Sequence, residues 1–351
     1  GNTKKAMRNK DLGRWISYTW EDCYYKVKYF SLGLRSLGLN SGDTVAILGD
    51  NEPEWYWSEY AAQAARGIAL GIFTDSIPSE IKYILAHSGT KFVVARDQEQ
   101  VDKILGIRDE LPKLKKVIYW EPKGMYAYDD PFITSFSRVT ELGKKYEEAH
   151  PNLFEEDIES GRGEDIAIAC YTSGTTGLPK GVRLSHKRLL SNYQSYAPFL
   201  NWSENDEYLS YMAPAWITEQ ALGITGVMVS GAVISFPEEP ETAMADIREL
   251  GPQTLLFSSR LWEDLVKSIQ AKIADSDALK RLTYNLFLSV GYKVSDLRFS
   301  RQKPNIFWKA LFGLGNLVLF RPLRDKLGVL KTKNLLTGGA MLSPDAFSFF
   351  H

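Results

Sequence analysis

The feature that most narrows the fold is a repeating grammar: a short apolar or β-branched run, then turn residues, then a longer amphipathic stretch. Such alternation of period-2 and period-3.6 signals is the signature of α/β architecture. Strands are expected at residues 45–48, 68–73, 92–95 and 117–120, with helices between them at 53–66, 78–87 and 98–111. Two of those helices open on a proline, Pro53 and Pro78, where the missing N–H costs nothing. Strands separated by helices of this length favour parallel pairing with right-handed crossovers and helices on both faces. Residues 122–164 are rich in charge, glycine and proline and read poorly as either element, so they are expected to connect two halves. The pattern resumes with strands at 166–171, 232–236, 254–257 and 334–337 and helices at 187–200, 241–250 and 262–274. The expected division is a first α/β subdomain with its connector at 1–164 and a second at 165–351. No internal repeat is visible.

Composition enters mainly by what it excludes. With 42 Lys and Arg against 43 Asp and Glu, the net charge of −1 supplies no general field for nucleic acid, so an anion site must be local. Two cysteines, Cys23 and Cys170, cannot form a disulfide framework and fit a reducing, cytoplasmic setting. Residues 1–14 are polar and basic, without the apolar core of a secretory signal. Residues 220–237 carry no charge, but Gly223, Gly226, Ser230 and Gly231 interrupt them, and a buried helix turning at Gly231 into a strand explains them better than a membrane span.

The most informative segment is residues 171–182, Tyr-Thr-Ser-Gly-Thr-Thr-Gly-Leu-Pro-Lys-Gly-Val, directly after an apolar strand. Four hydroxyls (Thr172, Ser173, Thr175, Thr176) and three glycines (Gly174, Gly177, Gly181) fall within ten residues, followed by Lys180 inside the same span. Glycines let successive backbone N–H groups converge on one anion, hydroxyls add donors, and a lysine adds a positive charge. The loop is suited to phosphate. It is not a Walker A loop, because Lys180 precedes Gly181 and a β-like Val182-Arg183-Leu184 rather than opening a helix.

Residues 171–182 closely resemble the phosphate-binding signature of the adenylate-forming superfamily of acyl-CoA synthetases, luciferases and peptide-synthetase adenylation domains. Residues 337–344 resemble its Gly-Gly-Ala segment, and residues 42–47 and 51–55 also look familial, so the resemblance covers essentially the whole chain. It is most like the N-terminal portion of bacterial long-chain fatty acyl-CoA synthetases. The resemblance implies the N-terminal domain of that superfamily, two α/β subdomains with mostly parallel sheets, and an acid–thiol ligase that makes an acyl-adenylate and then a thioester. ATP, Mg²⁺ and coenzyme A are the implied cofactors and a fatty acid the implied partner. Lys180, Thr175 and Thr176 would act on the transferring phosphates, and Thr172, Ser173, Gly174 and Gly177 would complete the cradle. Thr172 would approach Mg²⁺, and Gly338, Gly339 and Ala340 would lie beside the adenine and the acyl carboxylate.

In many relatives a histidine occupies the segment 212–219, and here Trp216 stands in its place. An indole suits the wall or gate of a hydrocarbon pocket, although a core tryptophan is an equal reading. Glu219 resembles the acidic residue that commonly closes this segment. Residues 304–328 are unusually apolar and are followed by Arg321, Arg324 and Lys326 toward their end. An amphipathic core helix is the commoner meaning of such a stretch, and a helix resting on the inner face of a membrane is the alternative. The family's motifs beyond the Gly-Gly-Ala segment, including its C-terminal catalytic lysine, do not follow before His351, so a chain without the C-terminal domain, inactive by itself, is expected. An aryl- or medium-chain acyl-CoA ligase and a non-catalytic nucleotide-binding module remain as other readings, and a homodimer stays open.

Overall fold

The structure is a computed structural model that describes residues 2–172, 178–338 and 340–351. Its contacts divide the chain into two units, residues 1–205 with 212–238, and residues 206–211 with 239–351.

The first unit is built on a seven-stranded sheet. In chain order its strands are β3 (Thr44–Leu48), β4 (Ile68–Ile72), β5 (Phe92–Ala95), β6 (Lys116–Tyr119), β7 (Ile133–Ser135), β8 (Ile166–Thr172) and β9 (Lys180–Ser185), following an N-terminal hairpin of β1 (Lys5–Asp11) and β2 (Arg14–Thr19). They lie in the order β7-β6-β5-β3-β4-β8-β9, parallel throughout except for the antiparallel pair β8 and β9. Every residue of β3 is buried, which requires cover on both faces. On one face Ala46, Leu48, Leu70, Val93 and Val117 pack against Ile81, Ile84 and Leu85 of α3 (Pro78–Ser88) and Val101 and Ile104 of α4 (Gln98–Leu105). On the other, Gly71 faces Trp55 of α2 (Pro53–Ala64), at the distance where a Cβ would lie 3.2 Å from the indole.

The division expected near residue 165 falls inside this unit, because β8 is hydrogen-bonded to β4. The stretch expected to be an irregular connector instead contains β7, α5 (Phe136–Ala149) and α6 (Leu153–Ser160). Ser135 caps α5 by accepting from the Arg138 N–H, and Phe136, Val139 and Gly143 form its inward face. That face is narrow because it works by close approach: a Cβ on Gly143 would sit 1.8 Å from the Tyr29 carbonyl of α1 (Trp20–Ser36), and one on Gly33 would meet the Val139 carbonyl at 2.1 Å. The polar N-terminus also acquires structure, β1 pairing antiparallel with β2 and parallel with Val233–Phe236.

In the second unit Thr254–Ser258 pairs in parallel with both Asn334–Gly338 and Glu207–Leu209. Ser258 caps the following helix, Ser259–Ala274, and Trp262 in its first turn donates from Nε1 to the Leu336 carbonyl at 2.9 Å. Two further helices, Ala278–Phe299 and Ile306–Gly315, lie side by side, with Phe287 against Gly315. The core reading of residues 304–328 does not hold there: within Ile306–Lys326 Gly315 alone is buried, because one face of the helix packs on Ala278–Phe299 and the rest faces solvent.

Candidate active site

Thr172 is the last residue of β8 and pairs with Lys180, the first of β9. The hairpin loop therefore leaves the sheet at the C-terminal ends of its parallel strands, the edge where ligands bind in open α/β sheets. Thr172 and Lys180 are both exposed. Ser173, Gly174, Thr175, Thr176 and Gly177 lie outside the described residues, as does Gly339.

The base of the hairpin is anchored. Tyr171 lies across Gly181, where a Cβ would stand 2.9 Å from the ring. Its hydroxyl is 2.7 Å from Nδ1 of His87, in the last turn of α3, and the His87 ring in turn stacks on Tyr83. Partial burial raises the Tyr171 phenol pKa, so it stays a neutral hydrogen-bonding group.

The same edge of the sheet carries Trp216. Phe73, immediately after β4, meets the indole edge to face at 5.6 Å between ring centroids, and β4 adjoins β8. Trp216 is 48% exposed, so it is not a core tryptophan. Its chain segment is held from below: a Cβ on Gly71 would be 2.7 Å from the Ala215 Cα, and the Asn51 side-chain amide donates to the Met212 carbonyl at 2.7 Å.

Behind Trp216 the chain enters a helix, Ile217–Glu219, that widens into a π-helical stretch, Gln220–Gly226, and narrows again at Val227–Ser230. One face of α2 backs this segment with polar groups at helical spacing. Tyr56 donates to Glu219 at 2.8 Å, Glu59 accepts from the Gln220 side chain at 2.9 Å, and Tyr60 donates to the Ile224 carbonyl at 3.1 Å. Tyr196 of α7 (His186–Leu200) donates to the Ala221 carbonyl at 2.6 Å. π-Helical geometry disturbs the regular backbone ladder, and these hydroxyls supply donors to its carbonyls. Gln220 Nε2 also bonds the Pro214 carbonyl at 2.9 Å, so a single amide ties Glu59 to the turn bearing Trp216. Glu219, wholly buried, is thus a structural acid here. Burial pushes the carboxyl of Glu59 up to about 7, opposed only by two amide donors, Gln220 and Gln63. Sequence reading missed this face of α2, although Tyr56, Glu59, Tyr60 and Gln63 at i, i+3, i+4 and i+7 are a legible signal.

In the second unit Gly338 ends the strand Asn334–Gly338 opposite Ser258, and Ala340 is exposed just beyond it. This too is the C-terminal end of parallel strands. Cys23 and Cys170 are free thiols whose pKa values burial raises to about 11 and about 12, which suits neither to nucleophilic chemistry. No group of three His, Cys, Asp or Glu side chains placed to hold a metal exists among the described residues. A largely apolar cavity of about 760 Å³ opens by Gly67, Ile166 and His186, at the opposite, N-terminal edge of β4 and β8.

The sequence profile of the AMP-binding enzymes matches residues 2–351. This chain belongs to that family. Among its relatives, a long-chain-fatty-acid–CoA ligase of Xenopus laevis is 26% identical over 98% of the chain and 46% of its own length. A long-chain-fatty-acid–CoA ligase of Rattus norvegicus is 29% identical over 98% of the chain and 48% of its own length. The chain spans about half the length of the curated relatives it matches. Of solved structures, an anthranilate CoA ligase in complex with anthranoyl-AMP superposes with a TM-score of 0.61 at 21% identity, over 74% of this chain and 48% of that one. The luciferase-like enzyme of the mealworm Zophobas morio gives 0.64 at 15% identity, over 99% and 65%. These likenesses place the chain in the α/β fold of the adenylate-forming ligases, in keeping with its two sets of parallel strands.

Proposed function

We propose that the protein containing this chain activates a long-chain fatty acid with ATP and passes the acyl group to coenzyme A. A carboxylate oxygen attacks the α-phosphorus of ATP, the bond to the β-phosphate oxygen breaks, and pyrophosphate leaves with the electron pair. The thiol of coenzyme A then attacks the acyl carbon, AMP departs, and a thioester remains. Charge builds on the departing phosphates in the first step, so catalysis depends on donors fixed around them.

The observation that carries this reading is the hairpin, with Thr172 paired to Lys180 at the C-terminal edge of a parallel sheet. In it Lys180 and the hydroxyls of Thr175 and Thr176 hold the β- and γ-phosphates, with Ser173, Gly174 and Gly177 contributing backbone N–H groups. Gly338, Gly339 and Ala340 take the adenine side. Mg²⁺ neutralises phosphate charge when bound. The Thr172 hydroxyl would be the protein group nearest that ion, in line with the preference of Mg²⁺ for phosphate, water and few protein ligands. Trp216, half-exposed and hinged on Phe73, walls the acyl chain. The long-chain assignment is supported by the relatives' chemistry and by that indole.

The test is ATP–pyrophosphate exchange by the full-length protein with acids of graded chain length. Lys180→Ala should slow exchange by about a hundredfold or more, the scale for losing a preorganised charge donor, with an unchanged unfolding temperature. Trp216→Ala should move the preferred chain length. Full exchange by Lys180→Ala would remove the loop from the mechanism, and no exchange with any acid by the intact protein would leave a nucleotide-binding module.

A further inference from the structure

The helical run Ile306–Lys326 is apolar, 21 residues long and almost entirely unburied. Its inward face is accounted for: Phe320 fits against Gly291, Gly315 against Phe287, and the Arg298 guanidinium sits 5.2 Å from the Phe312 ring centre. Its outward face is not. Ile306, Phe307, Leu314, Leu317 and Val318 all stand exposed, Ile306 at 87% and Leu317 at 65%. Residues 310–320 contain no charge, whereas residues 301–331 hold seven lysines and arginines and a single acid, Asp325, in a chain whose net charge is −1.

We propose that this face docks on the surface of an anionic lipid bilayer, lying in the interface rather than crossing it. The uncharged stretch 310–320 measures about 16 Å as a helix, roughly half the hydrocarbon thickness, so it cannot span. Its exposed side chains are those that settle at the boundary of headgroups and acyl chains, and Lys303, Arg321, Arg324 and Lys326 bracket them where phosphates would lie. The excess of positive charge is local to this helix, which selects an anionic surface over a second copy of the same basic face. This surface lies in the second unit and rests on no feature of the adenylation site.

The test is flotation of the full-length protein with vesicles of phosphatidylcholine alone or mixed with phosphatidylglycerol, alongside pyrophosphate exchange. The mixed vesicles should carry the protein upward, and high salt should weaken binding. Leu317→Glu and Phe307→Glu should each lower partition at least tenfold, with unfolding temperature and exchange in lipid-free buffer unchanged. Arg321→Gln and Lys326→Gln should each lower it about fivefold on the anionic vesicles alone, from about 1 kcal/mol per cation. Tyr126→Glu, equally exposed but in the first unit, should have no effect. The proposal falls if the intact protein stays at the bottom of the gradient, or if Leu317→Glu floats like wild type. It falls equally if Leu317→Glu dissociates an oligomer that ignores vesicles, which would assign the face to a second copy. Slow labelling of Leu317→Cys by a water-soluble maleimide without lipid would assign it to another part of the full protein.

Discussion

Two stretches of this chain look alike as strings of letters and meet opposite fates. Residues 220–237 and 310–320 are both uncharged and apolar, both contain paired glycines, and both pass through π-helical geometry. The first is held in the interior by α2, whose Tyr56, Glu59 and Tyr60 reach Glu219, Gln220 and the Ile224 carbonyl. The second meets a neighbouring helix through Phe312, Gly315 and Phe320 and leaves Leu314, Leu317 and Val318 exposed. Hydrophobicity alone did not separate them. What did is whether a neighbouring element offers polar groups in register with the backbone that a widened helix leaves short of partners.

The contrast predicts how each stretch answers mutation. Within these two stretches Gly223→Ala should be the most damaging small change, because its Cβ would lie 2.2 Å from the buried Glu219 carboxylate and 2.9 Å from the Tyr56 hydroxyl. A loss of about 3 kcal/mol is expected from overpacking, read by chemical denaturation; a neutral result would show that α2 does not clamp the segment. Glu59→Gln sharpens the same point through pH. Its carboxyl titrates at about 7 when folded, against 4.5 otherwise. The folded chain therefore keeps a proton that the unfolded chain releases, and stability falls as pH rises from about 4.5 to 7. Relative to wild type, Glu59→Gln should gain on the order of 2 to 3 kcal/mol across that window and nothing further above it. A pH-independent difference would break the assignment of a buried neutral acid. Leu317→Glu should be the mildest, within about 0.5 kcal/mol of wild type in lipid-free solution, as for an ordinary surface change; a large loss would mean that the outward face is packed after all.

Much of the first unit was legible. Continuous apolar runs in β3, β4, β5 and β8 set the strands within a residue or two, since a strand buried on both faces leaves no polar alternation to misread. Gly231, at φ +72°, ends its helix and admits the following strand as its position suggested. The helix expected over 98–111 stops at Leu105, with Gly106 as its cap and a separate short turn at Arg108–Glu110. Helix α5 was hard to read because its inward face is narrow: Phe136 stacks on Phe30 of α1, and beyond it Val139 and Gly143 meet α1 by close backbone approach and not through a long stripe of large side chains. The N-terminal hairpin was hidden for another reason: its pairing partner, Val233–Phe236, is more than two hundred residues away. At the candidate site, the hairpin's residues announced themselves by composition. Tyr171, His87 and the polar face of α2 did not, because their roles depend on which helix ends beside which strand.

The pairing of Thr172 with Lys180 makes the hairpin a ruler as well as a grip. Side chains alternate across a strand, so removing a single residue from β9 after Lys180 would turn the ammonium to the opposite side of the sheet, while exchanging exposed Val182 or Arg183 for other residues would leave it where it is. Parity of length, more than the identity of the outer strand's side chains, therefore decides on which side of this edge the ammonium stands.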